Sequence, residues 1–162
     1  MKTLKRRRKE HKTDYGKRIK LLKSKSPRVI FRKTNKYILS QYISSREAQD
    51  KIILSINSKK LIKYGWPENA KNSLKSLPAS YFTGLLIGKG IIKGKLDTPI
   101  VDLGMIRVLH KTKIYAFIKG LIDAGIKIKC KEDAFPSEGR IKGEHMKNKI
   151  QFDEIKSKIE KI

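Results

Sequence analysis

Asp97, Asp102 and Asp123 are the acidic residues that fall near the apolar stretches of this chain, and converging carboxylates are what two-metal phosphoryl chemistry requires. Asp123 falls in the last turn of a predicted helix and Asp97 in a polar turn, where caps and surface pairs account for them more simply. The remaining candidates for chemistry are scattered. His11, His110 and His145 stand far apart in charged surroundings, Cys130 is the single cysteine, and no zinc-ligand spacing exists. Gly84-Leu85-Leu86-Ile87-Gly88-Lys89-Gly90 resembles a phosphate-binding loop only loosely. Its spacing is one residue short, and Gly90 occupies the place of the magnesium-binding hydroxyl. These glycines are better suited to close helix packing or to the approach of an RNA backbone. The sequence therefore predicts no catalytic centre, no metal and no cofactor.

The residues present in excess are cations. Lys+Arg number 40 against 15 Asp+Glu, a net charge of +25 on 162 residues, and such self-repulsion calls for a polyanionic partner. A membrane surface is the weaker choice. No run approaches the roughly 20 apolar residues of a span. The longest apolar patch, Tyr81 to Ile92, is broken by Thr83, Gly84, Gly88, Lys89 and Gly90. No apolar segment follows the basic start of the chain as a signal peptide would require, and a lone cysteine suits a reducing compartment. Nucleic acid bound by a cytoplasmic protein, without membrane or small-molecule substrate, is the expectation.

Charge is concentrated at one end: residues 1–36 hold 16 Lys+Arg against Glu10 and Asp14, which is +14 of the +25. The dense run Lys5, Arg6, Arg7, Arg8, Lys9 reads either as an arm that folds on RNA or as a disordered solubilising tail. Thr13 to Ser24 has helical character, with Thr13 as N-cap, Asp14 complementing the dipole and Ile19 and Leu22 on one side. Ser26-Pro27 ends it.

The elements that must position these cations follow. Arg28–Phe31 and Tyr37–Ile43 read as strands around a turn at Thr34-Asn35-Lys36, and Lys51–Asn57 as a third, with Ile52, Leu54 and Ile56 alternating. Val29 and Phe31 share one face of the first strand; Arg28, Ile30 and Arg32 share the other. With Tyr37 and Tyr42 nearby, that second face is either an RNA-binding face, through ion pairs and stacking, or an ordinary solvated face of an antiparallel sheet. Two amphipathic helices should cover the first face. One starts near Pro78 and ends about Gly94. The other is capped by Thr112, carries Ile114, Phe117, Ile118, Leu121 and Ile122, and stops at Gly125. Pro99–Gly104 and Ile126–Cys130 read as further strands. Phe152, Ile155, Ile159 and Ile162 mark a short charged helix that needs a partner surface. The expected fold class is α/β, a sheet with an antiparallel hairpin and helices mainly on one face, with a basic N-terminal extension. The expected divisions are 1–26 for the arm and its helix, 27–146 for the α/β domain and 147–162 for a C-terminal helix or tail.

Four stretches resemble one known family. Pro27-Arg28-Val29-Ile30-Phe31-Arg32-Lys33-Thr34-Asn35-Lys36-Tyr37-Ile38 looks like the first hairpin of the 5S rRNA-binding large-subunit ribosomal proteins, number eighteen in the universal naming. Lys12-Thr13-Asp14-Tyr15-Gly16-Lys17-Arg18 with Leu21-Leu22 agrees with its archaeal and eukaryotic branch. So do Tyr64-Gly65-Trp66 followed by Pro78-Ala79-Ser80-Tyr81-Phe82-Thr83-Gly84, and Pro136-Ser137-Glu138-Gly139-Arg140-Ile141-Lys142-Gly143-Glu144-His145. They occur in family order from residue 5 to about 146. The resemblance implies a structural, non-enzymatic protein of the cytoplasmic large ribosomal subunit, at the central protuberance. Its implied partners are 5S rRNA, 23S rRNA and the neighbouring 5S-binding ribosomal protein. Carried onto matching positions, Arg6 to Lys12, Tyr15 and Arg18 contact RNA, as do Arg28, Arg32, Asn35 and Lys36 on the hairpin, with Arg140, Lys142 and His145 as a second patch. The chain ends soon after the last motif, without the long eukaryotic extension, which favours an archaeal source. Ala48-Gln49-Asp50 lacks the glycine expected before the aspartate. A generic RNA-binding module or rRNA-maturation factor is the alternative.

Overall fold

The computed structural model describes residues 3–47, 49–146 and 148–161. Two short helices come first, α1 (Arg6–Lys9) and α2 (Tyr15–Lys23). Asp14 caps α2, accepting from the Lys17 backbone N–H at 3.1 Å; the expected cap, Thr13, instead accepts from Arg7 Nε at 2.9 Å. One residue separates the two assignments, and the carboxylate has the stronger attraction for the helix dipole.

Strands β1 (Arg28–Lys33), β2 (Ile38–Arg46) and β3 (Gln49–Asn57) form an antiparallel meander. The first turn is closed by Thr34, whose hydroxyl donates to Tyr37 O and accepts from Tyr37 N–H. Tyr37 therefore belongs to the turn, and β2 starts one residue later. Between β2 and β3 the register slips: Tyr42 pairs with Leu54 but Ile43 with Ile52. Ile53 is the extra residue of this bulge, so the alternation read from Ile52 to Ile56 does not run through one face. Ile52 and Ile53 are both about half exposed. Ala48 lies outside the described residues.

From β3 the chain passes through two 3-10 turns, Ser58–Tyr64 and Glu68–Ser73, into α3 (Leu77–Lys93), capped by Ser76. It then returns as β4 (Ile100–Asp102), parallel to β1. The sheet order is β3-β2-β1-β4, so the connection through α3 carries the chain from the β3 edge across the sheet to β4 at the opposite edge. β4 is a three-residue edge strand with a largely open outer side, shorter and less buried than the expected Pro99–Gly104. Helix α4 (Lys113–Asp123) follows, then α5 (Glu138–Lys142) and α6 (Phe152–Glu160). The expected strand at Ile126–Cys130 is not one. Ile126 is buried and Ile128 half-buried, so the alternation reflects packing of an extended segment without a ladder partner.

The core lies on one side of the sheet. Val29, Phe31, Ile38, Tyr42 and Ile56 meet α3 and α4, with Phe31 and Phe117 rings 5.0 Å apart. The helix pair approaches closely because of glycine. A Cβ on Gly84 would strike the Phe117 carbonyl, and one on Gly120 the Tyr81 carbonyl, so Gly84 serves helix packing and no phosphate loop. Helix α6 finds its partner surface within this chain. Ile155 and Ile159 are fully buried, and Phe152 packs on Phe82 and Tyr81 at 4.7 and 5.4 Å. Ile162 lies outside the described residues.

Candidate RNA-binding surface

The sheet face away from the core is built around Arg28. Alternation puts this side chain on the expected face, but it is not exposed there: Arg28 is 1% exposed. This corrects the expectation that Arg28 and Arg32 stand together on an open face. The physical reason is a pair of carboxylates. Arg28 donates to Asp102 at 3.2 Å, to Asp50 at 2.7 Å and to the Ser45 hydroxyl at 2.9 Å. A desolvated guanidinium is tolerable only with such compensation. Asp102 also accepts the Gly104 N–H at 2.8 Å and reaches Arg32 at 3.5 Å, while Arg32 donates to the Asp102 carbonyl at 3.0 Å. Tyr42, expected beside this face, is instead in the core. Its hydroxyl donates to the Asp97 carbonyl at 2.9 Å, and burial, then the Asp97 charge, push its pKa up.

Helix α2 is tied to this network. Arg18 meets Asp50 at 3.0 Å and Lys17 donates to the Gly104 carbonyl at 3.0 Å. Burial alone would raise the Asp50 carboxyl, but the Ser45 hydroxyl and the Arg18 and Arg28 guanidiniums outweigh it and hold its pKa below the usual range. A cleft remains between α2 and the sheet, and Arg7, Lys12, Tyr15, Arg18 and Arg32 all line it. Five of the residues singled out in the sequence thus converge. Of the others in the arm, Lys5 sits 4.9 Å over the Tyr15 ring, Arg6 pairs loosely with Glu10 at 3.8 Å, and Arg8 and Lys9 are exposed on α1.

The hairpin tip forms a second hollow. Asn35, Lys36 and Tyr37 line it, together with Lys59, Lys71, Asn72 and Lys75. The latter four come from the 3-10 turns and the segment after them, which lack the periodicity that would have placed them beside the hairpin. The patch expected at Arg140, Lys142 and His145 is divided: Arg140 and Lys142 line different hollows, and His145 is exposed past the end of α5.

The carboxylates do not converge. Asp102 is engaged by arginines, and Asp123 by the Tyr81 hydroxyl at 2.8 Å and Lys119 at 3.4 Å. No group of three His, Cys, Asp or Glu side chains able to hold a metal occurs among the described residues. No helix among them is long and apolar enough to cross a membrane.

Fold and surface together define a strongly basic α/β protein whose cations border hollows on the side of the sheet away from the core and at one end of it. The sequence matches, over residues 1–98, the family described as "Ribosomal large subunit proteins 60S L5, and 50S L18". It is 44% identical over 141 residues to the "Large ribosomal subunit protein uL18" of Korarchaeum cryptofilum, covering 87% of this chain and 70% of that protein. The protein of the same name from Methanoregula boonei is 39% identical over 141 residues, covering 87% of this chain and 79% of the relative. The chain belongs to this family of large-subunit ribosomal proteins, as an archaeal-type member. The family's members are structural components of the ribosome, not enzymes.

Proposed function

We propose that this protein binds 5S rRNA and joins it to 23S rRNA at the central protuberance, beside the neighbouring 5S-binding ribosomal protein. The observation that carries the reading is the cleft between α2 and the sheet, where Arg7, Lys12, Tyr15, Arg18 and Arg32 converge in a chain of this family. In this reading Lys5, Arg6, Arg8, Lys9 and Lys12 neutralise phosphates. Arg7, Arg18 and Arg32 add forked hydrogen bonds, and Tyr15 and Tyr37 offer faces for unstacked bases. Asn35 and Lys36 engage RNA at the hairpin tip. Arg28 acts from beneath, by holding Asp50 and Asp102 where they orient Arg18 and Arg32. Arg140, Lys142 and His145 contribute more peripheral contacts.

Binding to 5S rRNA and to a size-matched control RNA across a salt series tests the assignment. A preference for 5S rRNA that persists as salt rises, and is lost in Arg32→Ala/Lys36→Ala, is the expected outcome. The variant should also flatten the salt slope by about 0.7 to 0.9 per phosphate contact removed. Equal affinity for both RNAs, falling alike with salt, would leave a generic RNA binder or maturation factor.

A further inference from the structure

The carboxyl end of β1 opens onto a basin separate from the α2 cleft, with Lys33 five residues along the strand from Arg28, roughly 17 Å. Lys33, Arg107, Lys111, Lys113 and Arg140 form its walls, over an apolar floor that includes Phe31 and Ile114. No acidic side chain lines it, and none of the five cations makes an ion pair with another described residue. The contrast with Arg28 is informative. There a buried cation is matched by two carboxylates; here half-buried Lys113 is surrounded by like charge. Burial, then the charges of Lys33 and Lys75, push the Lys113 pKa down. Such repulsion is relieved by an anion from outside. The neighbouring Thr112 hydroxyl donates to the Leu109 carbonyl rather than capping α4, so its proton is already committed within the protein.

We propose that this basin is a second phosphodiester-binding site, holding the backbone of a single-stranded rRNA segment distinct from the one engaged by α2 and the hairpin. The inference rests on the ribosomal reading above and extends it. Lysines neutralise phosphate, Arg107 and Arg140 supply forks, and the apolar floor accommodates the sugar edge. A phosphodiester chain is favoured over an acidic peptide by the ribosomal family to which the chain belongs, and its repeating charge suits walls carrying five cations.

A chain of charge +25 attracts any polyanion, so the test must be local. In the full-length protein, lysine side-chain resonances are followed while inorganic phosphate and then hexauridylate are added. The expected result is perturbation centred on Lys33 and Lys113, with the Lys113 pKa rising on binding. Lys113→Gln and Lys33→Gln/Lys113→Gln should weaken hexauridylate roughly three- to tenfold and lower the salt slope by about 0.7 per phosphate lost. Their melting temperatures should hold or rise, because a repulsion has been removed, which separates lost binding from lost folding. Perturbation spread evenly over all lysines, or unchanged affinity in both variants, would overturn the site. Stronger binding of hexaglutamate at the same resonances would overturn it in favour of an acidic protein segment. The 5S preference of the wild type, measured in parallel, reports on the ribosomal reading independently: it can survive when the basin fails, and the reverse.

Discussion

At the scale of single residues, the arrangement turns on Arg28 and its two carboxylates. A buried guanidinium without partners would cost several kcal/mol, so Asp50 and Asp102 are conditions for β1 to sit where it does. Because the Asp50 pKa lies below its unfolded value, its contribution is fully present above about pH 5 and disappears as pH falls through the folded pKa. Urea midpoints measured from pH 7 to pH 3 should therefore drop in the wild type. Asp50→Asn should be less stable at pH 7 yet vary less over that window; an identical pH profile would remove Asp50 from the account. The sequence placed Arg28 and Arg32 on one strand face correctly. It did not reveal burial, because the partners arrive from 22 and 74 residues away and alternation carries no information about depth.

At the scale of elements, the α3–α4 contact depends on residues without side chains. Gly120→Ala should gain up to about 1 kcal/mol of helix propensity yet destabilise overall by about 1–3 kcal/mol, since the new methyl meets the Tyr81 backbone, which cannot yield as a flexible side chain would. Gly16→Ala on exposed α2 is the matched control. Its methyl finds only ordinary contact with Asp14, so the same substitution should stabilise. Equal effects at both sites in chemical denaturation would refute the packing argument. Periodicity made α3, α4 and the meander legible, since each buries a stripe or face of regular spacing. It misassigned Ile126–Cys130, where alternation meets the core without pairing, and missed the 3-10 turns that bring Lys59, Lys71 and Lys75 beside the hairpin tip.

At the scale of the whole molecule, the core is completed by a helix that looked peripheral in sequence. Ile155 and Ile159 are fully buried against the rest of the chain, so Ile155→Ala should cost about 2–5 kcal/mol in urea unfolding of the free protein, with no RNA present. A change under about 0.5 kcal/mol would mean that α6 is dispensable to the core. The candidate binding surface was legible in its cations but not in its grouping. Composition announced a polyanion partner, while only the tertiary structure joined Arg7, Lys12, Tyr15, Arg18 and Arg32 and set Arg140 apart from Lys142.

The parallel pairing of Arg28 with Ile100 also dictates an order of events during synthesis. The meander of β1, β2 and β3 can form from neighbouring residues, but its β1 side stays open until α3 has emerged and swung β4 back across it. In that interval Val29, Ile30 and Phe31 sit on an unprotected rim, a template for pairing with another nascent chain, and Arg28 has only one of its two counterions. Closing the crossover is a non-local step that costs more loop-closure entropy than forming the hairpins. A three-residue strand, too short to contribute much binding area of its own, acts as the latch that covers the β1 rim and brings Arg28 its second counterion.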